Sequence, residues 1–430
     1  MTNETHTPLR RVVAASMIGT TIEWYDFFLY GSAAALVFNK LFFPSFDPFV
    51  GTLLAFATYA VGFVARPLGG IVFGHFGDRI GRKKLLMLSL VMMGLATVLI
   101  GLLPTYAAIG VWAPVGLIVL RLVQGFAVGG EWGGAVLMAA EHGDSKRRGF
   151  WASWPQAGVA AGSLLSAGML AIMAAVMSEA EFLDWGWRMP FVLSAVLVAV
   201  GFYIRNRVSE SPMFQAALEE AEELPKLPAM DVIRERPLAV LLGSGLRVGE
   251  NISYYILTVF SLTYLVDVAS ESRELALEAL LIGAAVQFFA IPLLARLSDR
   301  IGRRPVYALG GLGLAAFIFL FFPMLASGHP AMIIAALVIG LVFHAAMYGP
   351  QAAFITELFP TRIRYSGVSI AYQLTSIFAG SLAPIIALWL YKESGSATPV
   401  AIYVAIACAI SGISALLAKE TKGTELDAIR

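Results

Sequence analysis

The sequence predicts an all-α fold of twelve transmembrane helices arranged as two six-helix halves, and three observations carry that expectation. The 430-residue chain is 58% hydrophobic and 14% charged, against about 25% charged in an ordinary soluble domain. A charged segment, Gly74-His75-Phe76-Gly77-Asp78-Arg79-Ile80-Gly81-Arg82-Lys83, returns later as Ala295-Arg296-Leu297-Ser298-Asp299-Arg300-Ile301-Gly302-Arg303-Arg304. Apolar runs with short polar punctuation fill nearly everything else, enough for about a dozen spans of roughly 20 residues.

The spans follow in order. The first, 12–38, begins after Arg10 and Arg11; it is interrupted by Glu23 and Asp26 and shows no small-residue cleavage site, so it is expected to stay in the protein. Spans 50–75 and 83–103 flank the first charged segment, 112–140 carries Arg121 and Glu131, and 149–177 and 187–206 complete the first half, residues 1–206. Residues 207–236 read as a linker: Met213–Leu224 has an amphipathic surface pattern, and Pro225, Pro228 and Pro237 interrupt it. The second half, 237–430, holds spans 237–267, 277–297, 304–324, 329–356, 363–391 and 397–418.

Basic residues set the orientation. Lys40, Arg188, Arg273 and Lys392 fall on one side, and Arg66, Arg121 and Arg247 fall inside spans. All the other Lys and Arg lie on the side of the termini, which the positive-inside rule makes cytoplasmic. The expectation is a multi-pass protein of the cytoplasmic (inner) membrane, working as a monomer. The net charge of +1 points to no nucleic-acid partner, and the single Cys408 excludes an internal disulfide. Five scattered histidines and one cysteine offer neither a nucleophile–base pair nor a metal cluster, and no phosphate-binding loop occurs, so neither an enzyme nor an ATP-driven pump is indicated. No cofactor is expected. Two similar halves facing the same way are the mark of a transporter.

The repeated loop places cations beside a carboxylate at a glycine-permitted turn, where ion pairs can lock helices together and release them. Asp78, Arg79 and Arg82, with Asp299, Arg300 and Arg303, are therefore candidate gating residues. A second pair of motifs joins them, because Glu141 precedes Arg148 by the same interval as Glu357 precedes Arg364. Orientation alone requires neither the Asp nor the fixed spacing.

Charges inside spans locate the candidate site. Insertion costs of about 2.5–3.5 kcal/mol per charged side chain mean that each should meet a partner or an aqueous cavity. Glu23 and Asp26 share one helical face, which Tyr30 extends. Gln124 and Glu131 share a face of the fourth span with Arg121 nearby, and Arg247, Glu250, Asn251 and Tyr254 form a stripe on the seventh. His344, Tyr348 and Gln351 repeat the pattern on the tenth. A guanidinium fork matches a carboxylate, so Arg121 is the expected substrate anchor, assisted by Arg247 with Gln124, Tyr30, Asn251, Tyr254, Tyr348 and Gln351 as further ligands. Arg66 reads as structural, His344 as a packing residue, and Trp151, Trp154, Gly158 and Gly162 as helix packing.

The loop pattern Gly-x3-Asp-Arg-x-Gly-Arg-Arg/Lys resembles the hallmark of the major facilitator superfamily, with Ala295 departing from it in the second copy. More narrowly, Ile22-Glu23-Trp24-Tyr25-Asp26-Phe27, Ala65-Arg66-Pro67-Leu68-Gly69-Gly70, Gln124 to Glu131, Asp184 to Phe191 and Glu357-Leu358-Phe359-Pro360-Thr361-Arg362 resemble the metabolite:proton symporter family across nearly the whole chain. Phe38-Asn39-Lys40 looks most like the members that import shikimate. The resemblance implies import of an organic acid, with spans one, four, seven and ten around a central cavity. The family also takes up the zwitterions proline and betaine; its osmosensing members carry a long C-terminal coiled coil that is not seen here.

Charge counting suggests the coupling. Three cations face four carboxylates, so protonating one of Glu23, Asp26, Glu131 or Glu250 balances the site for an anion. The span-one pair is favoured, because two acids one turn apart discourage joint ionisation. Proton antiport with export, a zwitterion symporter and a transporter-like sensor are the alternatives.

Overall fold

The computed structural model describes residues 9–80, 82–129, 145–207, 232, 234–360 and 364–425. It is helical, with no strand among these residues. The long helices are α1 (Leu9–Ala33), α2 (Pro48–Ile80), α3 (Arg82–Leu102), α4 (Trp112–Val128), α5 (Arg148–Val176), α6 (Arg188–Arg207), α7 (Pro237–Tyr255), α8 (Arg273–Ile301), α9 (Arg303–Leu325), α10 (Pro330–Thr356), α11 (Arg364–Thr375) and α12 (Thr398–Leu417). Single wide turns extend three of them: Ala34–Phe38 follows α1, Ile256–Phe260 follows α7, and Ser376–Gly380 joins α11 to Ser381–Ser394. The part of the fourth span beyond Gly129 and most of the linker expected at 207–236 lie outside the described residues.

Among the described residues, eight helical stretches are long and apolar enough to cross a membrane alone, and Glu179–Gly186 with Arg188–Tyr203 makes another, bent by 45°. Large apolar side chains face outward in rows, for example Leu88, Val91, Leu95 and Leu99 on α3 and Ile402, Ile406, Ile410 and Ile413 on α12. The buried side chains at the centre include Arg121, Arg247, Glu250 and Gln351. The core is otherwise apolar, but a water-soluble bundle would not turn such rows outward and bury these charges, and hydrocarbon outside is the reason.

Helix ends follow local chemistry. Gly302, at φ +113, makes the abrupt turn between α8 and α9; Gly395, at φ +63, closes the turn before α12 by donating its N–H to the Tyr391 carbonyl. Ser272 caps α8, and Ser178 forms a reciprocal capping box with Glu181. Several helices run a turn past their expected apolar limits: α8 begins at Arg273, not near 277, because its cap and an ion pair hold that turn outside the hydrocarbon.

In the first half α1 packs on α5, α2 on α4, and α3 on both α4 and α6; in the second, α8 and α9 pack on α10, and α7 and α9 on α12. Contacts of α5 with α8 and α10, and of α2 with Ser381–Ser394, make the seam between them. Gly158 and Gly162 let α5 lie against α1, since a Cβ there would come within 2.7 Å of the Met17 carbonyl oxygen and of the Tyr25 nitrogen respectively. The same device joins α2 to α4. A Cβ on Gly125 would sit 2.0 Å from the Gly62 carbonyl oxygen, and one on Gly69 1.8 Å from that of Phe126.

Gly125→Ala should therefore destabilise the protein by about 1–3 kcal/mol, the usual range for overpacking. Gly51→Ala is the control, because its nearest contact would be an ordinary 3.4 Å. Thermal unfolding in detergent should show a clear loss for the first and none for the second.

Candidate functional site

Four charged side chains converge between α1, α2 and α4. Glu23, Asp26, Arg66 and Arg121, with Gln124 and Phe27, line a buried cavity of about 10 Å³, space for roughly one water molecule. The Glu23 and Asp26 spacing on α1 turns both acids to this cavity, as the sequence suggested. Arg121 reaches it from α4 because Gly62 leaves room; a Cβ there would lie 2.7 Å from the arginine Nε.

Arg121 is held firmly. Its Nε donates to the Tyr59 carbonyl at 3.4 Å and its Nη1 to Gln124 Oε1 at 3.1 Å, while Gln124 Nε2 donates to Thr97 Oγ1 at 2.7 Å. Its guanidinium lies over the rings of Phe27, Tyr30 and Tyr59 at 4.3, 4.4 and 4.8 Å. Its Nη2 is buried and has no hydrogen-bond partner. Tyr30 is thus a wall beneath Arg121, with its hydroxyl spent on Thr58 at 2.7 Å.

Arg66 occupies a different place from the one its sequence suggests. It is buried, packed over Phe27 at 4.5 Å and Phe63 at 4.7 Å, so that Phe27 separates two guanidiniums. Its Nε has no hydrogen-bond partner. Tyr255 and Tyr372 of the other half lie close enough to interact with it. The rule that a charge in a span needs a reason singles out Arg66 along with Arg121; its position before Pro67 reads as structural, pairing with a nearby carboxylate or snorkelling toward the loop. Asp26 is the other unfinished group. Neither of its buried oxygens has a hydrogen-bond partner, and Thr97, Arg121 and Glu23 are the polar groups around it.

The second-half charges form a closed network. Arg247 donates to Glu250 and, at 3.0 Å, to Gln351 Oε1; Gln351 Nε2 donates to Glu250 Oε2 at 3.2 Å and to the Tyr307 hydroxyl at 3.0 Å. His344 Nε2 meets Glu250 Oε1 at 3.0 Å, and its Nδ1 meets Gln287 Nε2 at 2.8 Å. His344, expected as a packing residue, is buried with both ring nitrogens in hydrogen-bond contact, one with Glu250 and one with Gln287. The Arg247 guanidinium stacks on Tyr372 at 3.7 Å. Tyr348 packs on His344 at 5.4 Å, and Tyr254 touches both His344 and, across the seam, Phe28. Asn251 is buried beside Gly380 and Phe63, its Oδ1 without a partner. Tyr255 lies within reach of both Arg66 and Arg247 and so links the two charged groups.

Both faces of the seam carry ion pairs. On the face shared by the starts of α1 and α5 and the last described residues, here the terminal face, Arg148 Nη1 donates to Glu357 Oε1 at 2.8 Å. Arg303 reaches Glu357 at 3.3 Å and Asp299 at 2.6 Å, and Asp299 accepts from the Gly149 and Phe150 amides at 2.9 and 2.8 Å, capping α5 from the other half. Thr421 Oγ1 donates to Glu357, the Thr424 carbonyl accepts from Arg148, and Glu420 accepts from the Arg303 and Arg304 amides. The sequence placed Arg148 and Glu357 in separate repeats; the structure pairs them with each other across the seam. Arg300 takes no part through its exposed side chain. On the opposite face Glu179 meets Arg273 at 3.2 Å and Lys40 at 3.6 Å, and Asp47 meets Lys392 at 3.9 Å. Glu131 and Glu141, and the side chains of Asp78, Arg79, Arg82 and Arg364, lie outside the described residues.

The two latches differ in strength for an electrostatic reason. Breaking a buried pair leaves an uncompensated charge, at about 3–5 kcal/mol, whereas an exposed pair contributes about 0–1 kcal/mol. Glu357→Ala should open the terminal face, raising maleimide labelling of an introduced Ser153→Cys more than about tenfold, a change of about 1.4 kcal/mol. Glu179→Ala should change it less than about twofold, and the buried Cys408 keeps the background low.

Comparison with known proteins places this architecture. A family model described as "Sugar (and other) transporter" matches residues 12–227 and 230–430. The chain is 42% identical to the shikimate transporter of Escherichia coli K12, over 96% of this chain and 95% of that protein. It is 35% identical to the proline/betaine transporter of the same organism, covering 97% and 85%. The xylose transporter XylE from E. coli, in a partially occluded inward open conformation, shares the fold with a TM-score of 0.75 at 18% identity, over 97% of this chain and 99% of that one. These relatives are membrane transporters and not enzymes, and the twelve-helix arrangement agrees with them. The chain therefore belongs to the sugar (and other) transporter family of the major facilitator superfamily.

Proposed function

We propose that this transporter is a proton-coupled symporter that imports a small organic acid, shikimate-like, aromatic or another carboxylate, across the cytoplasmic (inner) membrane, with both termini in the cytoplasm. The observation that carries the reading is the cavity in which Arg66 and Arg121 face Glu23 and Asp26. With both acids ionised its formal charge is zero. Protonating one leaves a single positive charge, matched to a monocarboxylate.

Asp26 is the proton carrier in this reading. Glu250 is already compensated by Arg247, His344 and Gln351, so its protonation would break a complete network. Asp26 has two oxygens without partners, and a buried carboxyl in that condition gains most from binding a proton. The carboxylate of the substrate then docks between Arg66 and the free Nη2 of Arg121, displacing aromatic packing from the seam. Alternating access follows if the latch on each face opens in turn, with two halves, 1–206 and 237–430, rocking about the site. The 42% identity to a shikimate transporter supports this substrate class.

One observation favours a second reading. The rings of Trp24, Phe27, Phe28, Phe63, Tyr254 and Tyr255 surround the seam, and aromatic faces attract ammonium groups, the quaternary one of betaine included. A proline or betaine symporter is therefore the alternative, and the 35% relative has such substrates in its name.

Uptake of labelled shikimate, 2-oxoglutarate, citrate, an aromatic carboxylate, proline and betaine into proteoliposomes separates these readings. Accumulation of one acid only with an inward proton gradient is expected; accumulation of betaine or proline alone would overturn the anion model. Asp26→Asn should abolish gradient-driven accumulation while sparing substrate exchange. Arg66→Lys and Arg121→Lys should each raise KM at least about tenfold, because an ammonium cannot reproduce a bidentate fork.

A further inference from the structure

A second cavity lies on the terminal face, outside the transport site. It measures about 630 Å³ and opens between the start of α1, the start of α5 and the end of α8. Its polar lining is basic: Lys146 and Arg147 come from the approach to α5, Arg296 and Arg300 from the last turns of α8. All four are exposed. The one acid among the described residues that line it, Asp299, is already committed to the Gly149 and Phe150 amides and to Arg303. The remaining lining is apolar and largely aromatic, with Phe150, Trp151 and Trp154 packed edge to face.

A cavity lined by four cations and by apolar and aromatic side chains suits an anionic amphiphile. Its surroundings say which. Phe289, Leu293 and Leu297 are exposed on α8 at successive turns, and Arg296 and Arg300 continue the same stripe into the cavity. The apolar ridge leads from the cations toward the middle of the membrane, where an acyl chain would run. Tryptophans at the rim are placed as side chains at a bilayer interface usually are.

We propose that this cavity binds the headgroup of an anionic phospholipid, with one acyl chain along the Phe289, Leu293 and Leu297 ridge. Arg147 and Lys146 from α5 and Arg296 and Arg300 from α8 then hold one phosphate between the two halves. By holding cations of both elements, that occupant ties the approach to α5 to the end of α8, where Asp299 already joins them, and so braces the terminal face. Bound lipid therefore favours the arrangement in which this face is closed. The inference uses no assumption about the transported substrate.

The test uses the full chain in detergent, by native mass spectrometry with phosphatidylglycerol or phosphatidylcholine of identical acyl composition. Phosphatidylglycerol should bind at least about tenfold more tightly, and the Arg147→Gln, Arg296→Gln double variant should lose that preference; both positions are exposed, so an unchanged melting temperature checks folding. Equal retention of the two lipids, or a preference that survives the double substitution, would overturn the proposal. Displacement of phosphatidylglycerol by millimolar inorganic phosphate alone would also overturn it, by showing an anion site with no use for the acyl chain. Separately, Ser153→Cys should label more slowly in phosphatidylglycerol liposomes than in phosphatidylcholine; equal rates would remove the bracing role.

Discussion

Hydrocarbon about 30 Å thick rejects unpaired charge and unpaired backbone groups, and almost every feature of this molecule answers that constraint. Backbone groups are satisfied within helices. Charged side chains survive inside only where something meets them: Arg247 by Glu250 and Tyr372, Arg121 by carbonyl, amide and three rings. Among the described residues Arg148 and Arg247 also leave one nitrogen each without a partner, but Asp26 with two idle oxygens and Arg66 and Arg121 with one idle nitrogen each share a single cavity. The gathering of those incomplete groups at one cavity is what marks it as the candidate site.

The same constraint separates the two faces. At the terminal face Arg148, Arg303, Asp299 and Glu357 are almost wholly buried, and the segment around Glu420 and Thr421 folds over them to supply more acceptors. At the opposite face the pairs that bridge the halves are Glu179 with Arg273 and Asp47 with Lys392; the Arg273 side chain is buried, but Glu179, Asp47 and Lys392 are exposed and solvent screens them. Closure at one end is thus electrostatically strong and at the other weak. Between them, small residues rather than large ones set the geometry, because Gly62, Gly69 and Gly125 bring backbones close enough for Arg121 to reach the cavity. Packing and chemistry are coupled there: the glycines that join α2 to α4 also decide where the guanidinium lies.

Much of the site was legible in the chain. The interval between Glu23 and Asp26 put both acids on one face, and the stripe of Arg247 and Glu250 on α7 with Gln351 on α10 does gather around one network. Two placements were not legible. Arg66 read as a structural cation, yet what a residue meets depends on tilt and on the aromatic neighbours that cover it, and neither is written in local sequence. His344 on an apolar helix looked like packing, because its partners Gln287 and Glu250 come from two other helices.

The sequence by itself determined the membrane class, the number of spans and their faces, because apolar length, helical period and the cost of a charge in hydrocarbon are local properties. It also marked the charged motifs that make the latch. Only the tertiary structure decided which charge meets which. Arg148 pairs with Glu357 from the other half, Asp299 caps a helix of the first half, and Phe27 stands between two arginines. Those partnerships depend on helices far apart in sequence approaching within a few ångströms, and chain spacing carries no information about such distances.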